Sequence, residues 1–419
     1  MRCDVVIVGA GISGLACAAA LARHAIPSVI FEARDVTGGR IRTYRSAGDG
    51  AAIELGAQVI HGDRNPLRDL TGRAVPVAES PRSQAVPRTT SAWLVLHDRV
   101  TPLGGLARGG MPPWAVEYRL VADGCDGEHP DVAVESWLAS RQVAGDHLVA
   151  ASEWFRQNWA ADPAALSARG VAAARRGDDT GDGEFKYEGG YQALTQTLAA
   201  GADIRLRQPV RTVTWSPGQV EVTTEAGERA TARAVVITAP PPVLAGGTLS
   251  ITPMPEPKAS AARALPSGDG LCAVVTLARP VPESAVVFDA DGQTGFVRCT
   301  AGRPEVLIVA KASAAGAVRA AGPADQVTRL FPRLFPRQSV PEIAGVRIAD
   351  WGRDPWSAGV FSYPGLGVGW AGPAWAAPVE RTLFFAGEAT TAGSRPPTVH
   401  GALDSGLRAA SEVVEAWGL

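Results

Sequence analysis

The stretch "VVIVGAGISGLACAAALARHAIPSVIFE", Val5 to Glu32, decides how the rest of the chain is read. Its opening run, Val5 to Ala22, carries no charge and is long enough to raise the question of an export signal or a membrane span. Either would want an unbroken apolar centre, and a signal would want a basic leader. Here only Met1 to Asp4 precede the run, Asp4 is acidic, and Gly9, Gly11 and Gly14 interrupt it. The alternative is a phosphate cradle. Val5 to Val8 then read as a buried strand, the glycines as a tight turn in G-x-G-x-x-G spacing, and the Ala- and Leu-rich run after Ile12 as a helix. A second strand, Ser28 to Phe31, ends at Glu32, about twenty residues beyond the glycines, where a carboxylate can accept hydrogen bonds from an adenosine ribose. Gly9 permits the turn, Gly11 lets backbone approach a pyrophosphate, Gly14 lets helix and strand pack closely, and the helix N-terminus faces the phosphate charge. Glu32 argues against a 2′-phosphate, and Arg34 beside it keeps that from being absolute.

Composition narrows the field. The chain has 419 residues, 46% hydrophobic and 20% charged, which predicts a folded protein of about two domains. A net charge of -2 gives no electrostatic footprint for nucleic acid or anionic lipid, so neither partner is expected. Of 40 basic residues only Lys186, Lys258 and Lys311 are lysine, a bias that carries no functional reading. Cys3, Cys17, Cys125, Cys272 and Cys299 are odd in number and lack any C-x-x-C pair, so no disulfide framework or metal site is expected and a cytoplasmic setting is the default.

Beyond the first unit, "GGRIRT" (Gly38 to Thr43) and "ELGAQVIHG" (Glu54 to Gly62) resemble segments of the flavin-containing amine oxidase family, the monoamine and polyamine oxidases and their relatives. Further blocks fall in family order: "YEGGYQALTQTLAAG" from Tyr187, "IRLRQPVRTVTW" with Val210, "ARAVVITAPPPVL" with a turn at Ala239 to Pro241, "WGRDPWSAGVFSYPG" from Trp351, and "RTLFFAGEATT" followed by "PPTVHGALDSGLRAASEVV". The resemblance implies an α/β protein with a Rossmann-like FAD-binding domain and a discontinuous α+β substrate domain. It implies FAD as cofactor, with Gly9, Gly11, Gly14, Glu32, Gly39, Arg40, Gly56, Ala57, Gln58, Val59, Val210, Gly387, Glu388, Thr398 and Val399 around it. Val59 replaces a tryptophan usual in relatives. Val360 falls where some monoamine oxidases carry a flavin-linking cysteine, so noncovalent FAD is expected. Independently, Val399, Ala402, Leu403, Leu407, Ala410 and Val414 recur at helical spacing and predict a helix starting near Thr398, whose positive end relatives aim at the flavin.

The implied chemistry is hydride loss from an amine to flavin N5, hydrolysis of the imine to a carbonyl product, and reoxidation by dioxygen or another acceptor. Four residues carry the catalytic expectations. Phe361 corresponds to an aromatic wall of the substrate site, Thr398 or Val399 to the opposite wall, usually aromatic, so the cage is incomplete. His61 matches a pocket histidine of polyamine oxidases. Cys272 aligns with a lysine tied to oxygen reactivity, so either another residue such as Lys311 supplies that function or oxygen reacts slowly here. The alternatives are a flavoenzyme of the same architecture acting on an amino acid or a larger natural product, and a flavoprotein without net redox turnover.

Residues 1–65, 185–250 and 375–419 are expected to form the FAD-binding domain, and 66–184 and 251–374 the substrate domain. Within the latter, the charged, glycine-rich stretch 168–183 reads as a mobile surface loop.

Overall fold

A computed structural model describes residues 1–70, 74–76, 91–108, 111–123, 131–187 and 189–419. Cys125 and Glu188, from the cysteine set and the "YEGG" block, lie outside the described residues.

The uncharged opening run divides into a strand, Val5–Val8, and a helix, Ile12–Arg23. Among the described residues no helix is long and apolar enough to cross a membrane. That first strand is the centre of a five-stranded parallel sheet in the order 203–205, 28–31, 5–8, 234–237 and 383–385. The alternation of a pleated strand assigns its side chains to two layers. Val5 and Ile7 pack with Leu15, Leu21, Ala409 and Val413 of two helices, while Val6 and Val8 pack with Val213, Val222 and Ile251 of a four-stranded sheet on the other side. Helix, parallel sheet and mixed sheet are therefore stacked as three layers, the arrangement that strands buried on both faces demand.

The two helices over the parallel sheet, Ile12–Arg23 and Val399–Trp417, approach closely because glycine lies at the crossing. A Cβ on Gly406 would come within 2.1 Å of the Ser13 carbonyl oxygen, and one on Gly14 within 2.0 Å of the Gly9 carbonyl oxygen. Gly14 is thus a packing residue, as its place in the motif predicts.

A seven-stranded sheet runs in the order 343–350, 270–277, 305–311, 296–299, 285–289, 91–96 and 99–102. One face, with Leu271, Ala273, Val297 and Ile308, is covered by the helices Ser313–Ala321 and Pro323–Leu334. The opposite face carries Cys272, Phe296, Leu307, Val309 and Lys311 and looks into a cavity.

The stretch 168–183 differs from its expectation as a loop. Residues Ala168–Arg176 form a helix, with the Ser167 hydroxyl accepting the Gly170 N–H as N-cap and Val171, Ala172 and Ala174 buried. The charges and glycines that dominate its composition lie mostly at its C-terminal end, whereas its small apolar residues recur at helical spacing and pack with Trp137, Phe155 and Trp159.

Candidate active site

A single cavity of about 430 Å³ runs from the glycine turn to the seven-stranded sheet. Its wall includes Gly9, Gly11, Glu32, Gly39, Arg40, Gly56, Ala57, Gln58, Val59, His61, Val210, Cys272, Phe361, Gly387, Glu388, Thr398 and Val399. The structure therefore brings together every residue singled out from sequence except Gly14, which lies behind the wall.

The nucleotide end is built from local backbone geometry. Gly9 takes φ +104°, a conformation L side chains rarely adopt, and a Cβ there would meet the Thr238 hydroxyl at 2.6 Å. Glu32, 3% exposed at the end of its strand, accepts the Ala10 N–H at 2.7 Å and the Arg34 N–H at 2.9 Å. Arg34 turns away to a forked pair with Asp354, 2.6 and 3.3 Å, and also donates to the Ser357 hydroxyl. The arginine that left a 2′-phosphate conceivable is thereby occupied by the Trp351–Gly365 block.

The remaining sequence blocks meet one another through two carboxylates, half-buried Glu54 and buried Glu388. Glu54 accepts from the Tyr191 N–H at 2.8 Å and from the Thr43 hydroxyl, joining "ELGAQ", "YQAL" and "GGRIRT". Burial pushes its pKa up to about 7. Glu388 accepts from Arg40 at 3.0 Å and from the Ser362 hydroxyl and N–H. Arg40 is thereby held against the cavity wall, and its other bond goes to the Val360 carbonyl.

Open backbone lies where a flavin dinucleotide would run. A Cβ on Gly11 would meet nothing nearer than the Gly39 Cα at 3.9 Å, and one on Gly387 nothing nearer than the Thr238 carbonyl oxygen at 3.6 Å. Open backbone between the Ile12–Arg23 helix and Arg40, with Glu32 beside it, suits a pyrophosphate and a ribose. The residues fit the group.

Residues 138–414 match the family described as "Flavin containing amine oxidoreductase", and residues 7–74 match the "NAD(P)-binding Rossmann-like domain". The chain belongs to the flavin-containing amine oxidoreductase family. Polyamine oxidase 4 of Oryza sativa subsp. japonica is 28% identical over 98% of this chain and 88% of its own length. Lysine-specific histone demethylase 1B of Mus musculus is 26% identical over 98% of this chain, which spans about half the length of the demethylase relatives it matches. Among solved structures, a redesigned putrescine oxidase shares the fold with a TM-score of 0.79 at 21% identity over 99% of each chain. Cyclohexylamine oxidase from Brevibacterium oxydans IH-35A does so with 0.78 at 19% over 100% of each.

In this member of the family the far end of the cavity is lined by Phe361, Lys311 and Cys272. Phe361 stands beside Lys311, whose ammonium is 5.4 Å from the ring centre and donates to the Gln157 carbonyl at 2.6 Å. Cys272 is on the neighbouring strand, its thiol within 3.7 Å of the Gln58 amide nitrogen and pushed up to about 12 by burial. It is a neutral thiol there.

His61 and Glu184 meet at 3.3 Å in a contact without hydrogen-bond alignment. The Asn65 amide donates both to the His61 carbonyl, 2.7 Å, and to His400 Nδ1, 3.0 Å. His400 is 2% exposed and burial lowers its pKa, so neutral His400 accepts at Nδ1 and offers Nε2–H to the Thr398 hydroxyl at 3.2 Å. Thr398 in turn accepts the Gly401 N–H as N-cap of the last helix. A continuous polar chain therefore links His61 to the helix end that borders the cavity.

Glu117, Trp154, Trp159 and Arg175 were not legible from sequence, nor was the pairing of Asn65 with His400. Glu117 is 6% exposed and accepts the indole N–H of both Trp154 and Trp159, each at 2.9 Å, and the Arg175 Nε–H at 2.9 Å. All three donors line the cavity. Asp178, supplied by the segment beyond the Ala168–Arg176 helix, lines it too.

Proposed function

We propose that the protein is an oxidoreductase that uses noncovalently held FAD to oxidise the C–N bond of an amine, giving an imine that water hydrolyses to the carbonyl product, with dioxygen or another acceptor taking the electrons. The observation that carries this reading is the continuity of one cavity from Glu32 and Gly11 to Phe361, Trp154 and Trp159. A dinucleotide seat and an aromatic-walled chamber share one continuous space, as a cofactor and the substrate it oxidises require.

When bound, FAD supplies the acceptor of a hydride equivalent from the amine α carbon. Glu32 would hold the ribose, the backbone around Gly11 and Gly39 with Arg40 the pyrophosphate, and the N-terminus of the Val399–Trp417 helix the pole at which negative charge gathers. Gly56 to Val59 and Val210 would border it. Val360 offers no thiol for a covalent link. Phe361, Trp154 and Trp159 exclude water from the amine and present π surface to it. His61 would border the substrate end of the wall, with Glu184 3.3 Å from its ring.

The division into an FAD-binding part (1–65, 185–250 and 375–419) and a substrate part (66–184 and 251–374) belongs to the same proposal. Every strand of the parallel sheet falls in the first and every strand of the seven-stranded sheet in the second. The test is anaerobic mixing of the FAD-loaded protein with a panel of amines. Loss of the oxidised flavin's visible absorbance is expected with at least one of them, and acid denaturation should release intact FAD. Flavin that stays oxidised with every amine, or stays attached to denatured protein, contradicts the corresponding part.

A further inference from the structure

Four arginines line the cavity. Arg34 is held by Asp354, Arg40 by Glu388 and Arg175 by Glu117. The Arg298 side chain makes no ion pair or hydrogen bond among the described residues. It is half-buried on the strand Phe296–Cys299, where Val297 turns to the helix-covered face and Arg298 to the face that carries Phe296. Its cross-strand neighbours are Leu307 and Val286, both apolar and both in the cavity wall. A guanidinium partly withdrawn from water with no counter-charge is a costly arrangement, and its fork of donors matches a carboxylate.

Register fixes where this cation lies relative to the reacting end. Lys311, beside Phe361, and Leu307, opposite Arg298, are on one strand. Four residues at about 3.3 Å each put their Cα atoms about 13 Å apart, a gap that the long arginine side chain can narrow but not close. Phe296, paired with Val309, lies between. The geometry points to an amine that carries a carboxylate at the far end of an apolar spacer, with Arg298 receiving the carboxylate while the amine lies against Phe361. This rests on the proposed amine oxidation. The carboxylate of an α-amino acid, one carbon from its nitrogen, would not span the distance.

The test uses the FAD-loaded protein and four probes of matched length: ε-aminocaproate, hexylamine, hexamethylenediamine and norleucine. Half-saturation of anaerobic flavin reduction should come at about tenfold lower concentration for ε-aminocaproate than for the other three, the scale of a charge-assisted hydrogen-bonded pair. Arg298→Met should remove that preference and Arg298→Lys should restore part of it, with melting temperatures confirming that both variants fold. Equal or better saturation by hexylamine, the diamine or norleucine, or a preference that survives Arg298→Met, overturns the inference. Calorimetric titration with hexanoate, which has no amine, separates this from the parent reading. If no amine reduces the flavin, hexanoate binding that weakens about tenfold in Arg298→Met still supports Arg298 as the anion seat, and unchanged or undetectable binding overturns it.

Discussion

The Lys311 ammonium and the Phe361 ring face each other at 5.4 Å, one strand away from Cys272. Gly270, not Cys272, is the residue opposite Lys311 in the register, so the cation reaches the cavity from the strand adjacent to the one on which the family resemblance expects it. Cys272, with its thiol pushed up to about 12, contributes no charge at neutral pH. Under the proposed reaction, Lys311→Met should slow reoxidation by dioxygen about tenfold while changing the rate of reduction by amine far less, because the ammonium favours negative charge developing beside it. Stopped-flow reoxidation of photoreduced wild type and variant measures this. Equal slowing of both half-reactions would assign Lys311 to packing and to its bond with the Gln157 carbonyl.

Glu117 fixes two tryptophans and an arginine of the cavity wall from behind, without lining the cavity itself. Glu117→Gln keeps one acceptor but places an NH2 among three donors and removes the charge paired with Arg175. The expected costs are about 2 to 4 kcal/mol of stability and a rise in KM of about tenfold with a smaller change in kcat, since orientation of the wall is lost rather than chemistry. Urea midpoints and steady-state kinetics report the two separately. A fall in kcat at constant KM would remove Glu117 from substrate positioning.

Glu54 gives a pH prediction. Its folded pKa of about 7 lies above the ordinary 4.5, and burial is the cause. Between those values the folded state holds a proton that the unfolded chain has released, so this group's contribution is fully present below about pH 4.5 and is lost as pH rises through about 7. Glu54→Gln lacks the titration. At fixed FAD concentration, wild type should lose about 2 kcal/mol relative to the variant between pH 5 and pH 8. Thermal melts across that range test it, and a constant difference would show that Glu54 titrates normally.

What the sequence made legible followed from how local each signal is. The Val5–Glu32 unit has its strand, turn, helix and acid within one short stretch, and the periodicity from Val399 is visible in a single helix. Glu117 sits 37 and 42 positions from its tryptophans and 58 from Arg175, and nothing in the spacing relates them. The helix Ala168–Arg176 was hidden by composition, because glycine and charge at its end outweighed the Ser167 cap and the Val171, Ala172 and Ala174 face. Asn65 and His400 join only through the fold, 335 residues apart.

Glu32 braces the fold and, under the proposed reading, also holds the ribose, and the two roles can be separated. Its oxygens already accept the Ala10 and Arg34 N–H groups, so it braces the turn at the end of the first strand. Facing the cavity, it is also placed to accept from a ribose hydroxyl. Glu32→Ala should cost about 1 to 3 kcal/mol of FAD affinity, the scale for hydrogen bonds to a charged group, and should also lower the stability of FAD-free protein because two backbone donors lose their acceptor. Glu32→Asp keeps the charge but shortens the arm by one methylene, so restored stability without restored affinity would show that reach to the ribose is a distinct requirement. Flavin released on dilution reports affinity, and melting of FAD-free protein reports the brace. If Glu32→Ala retains FAD as tightly as wild type while FAD-free stability falls, Glu32 is a structural brace and the ribose is held by other groups.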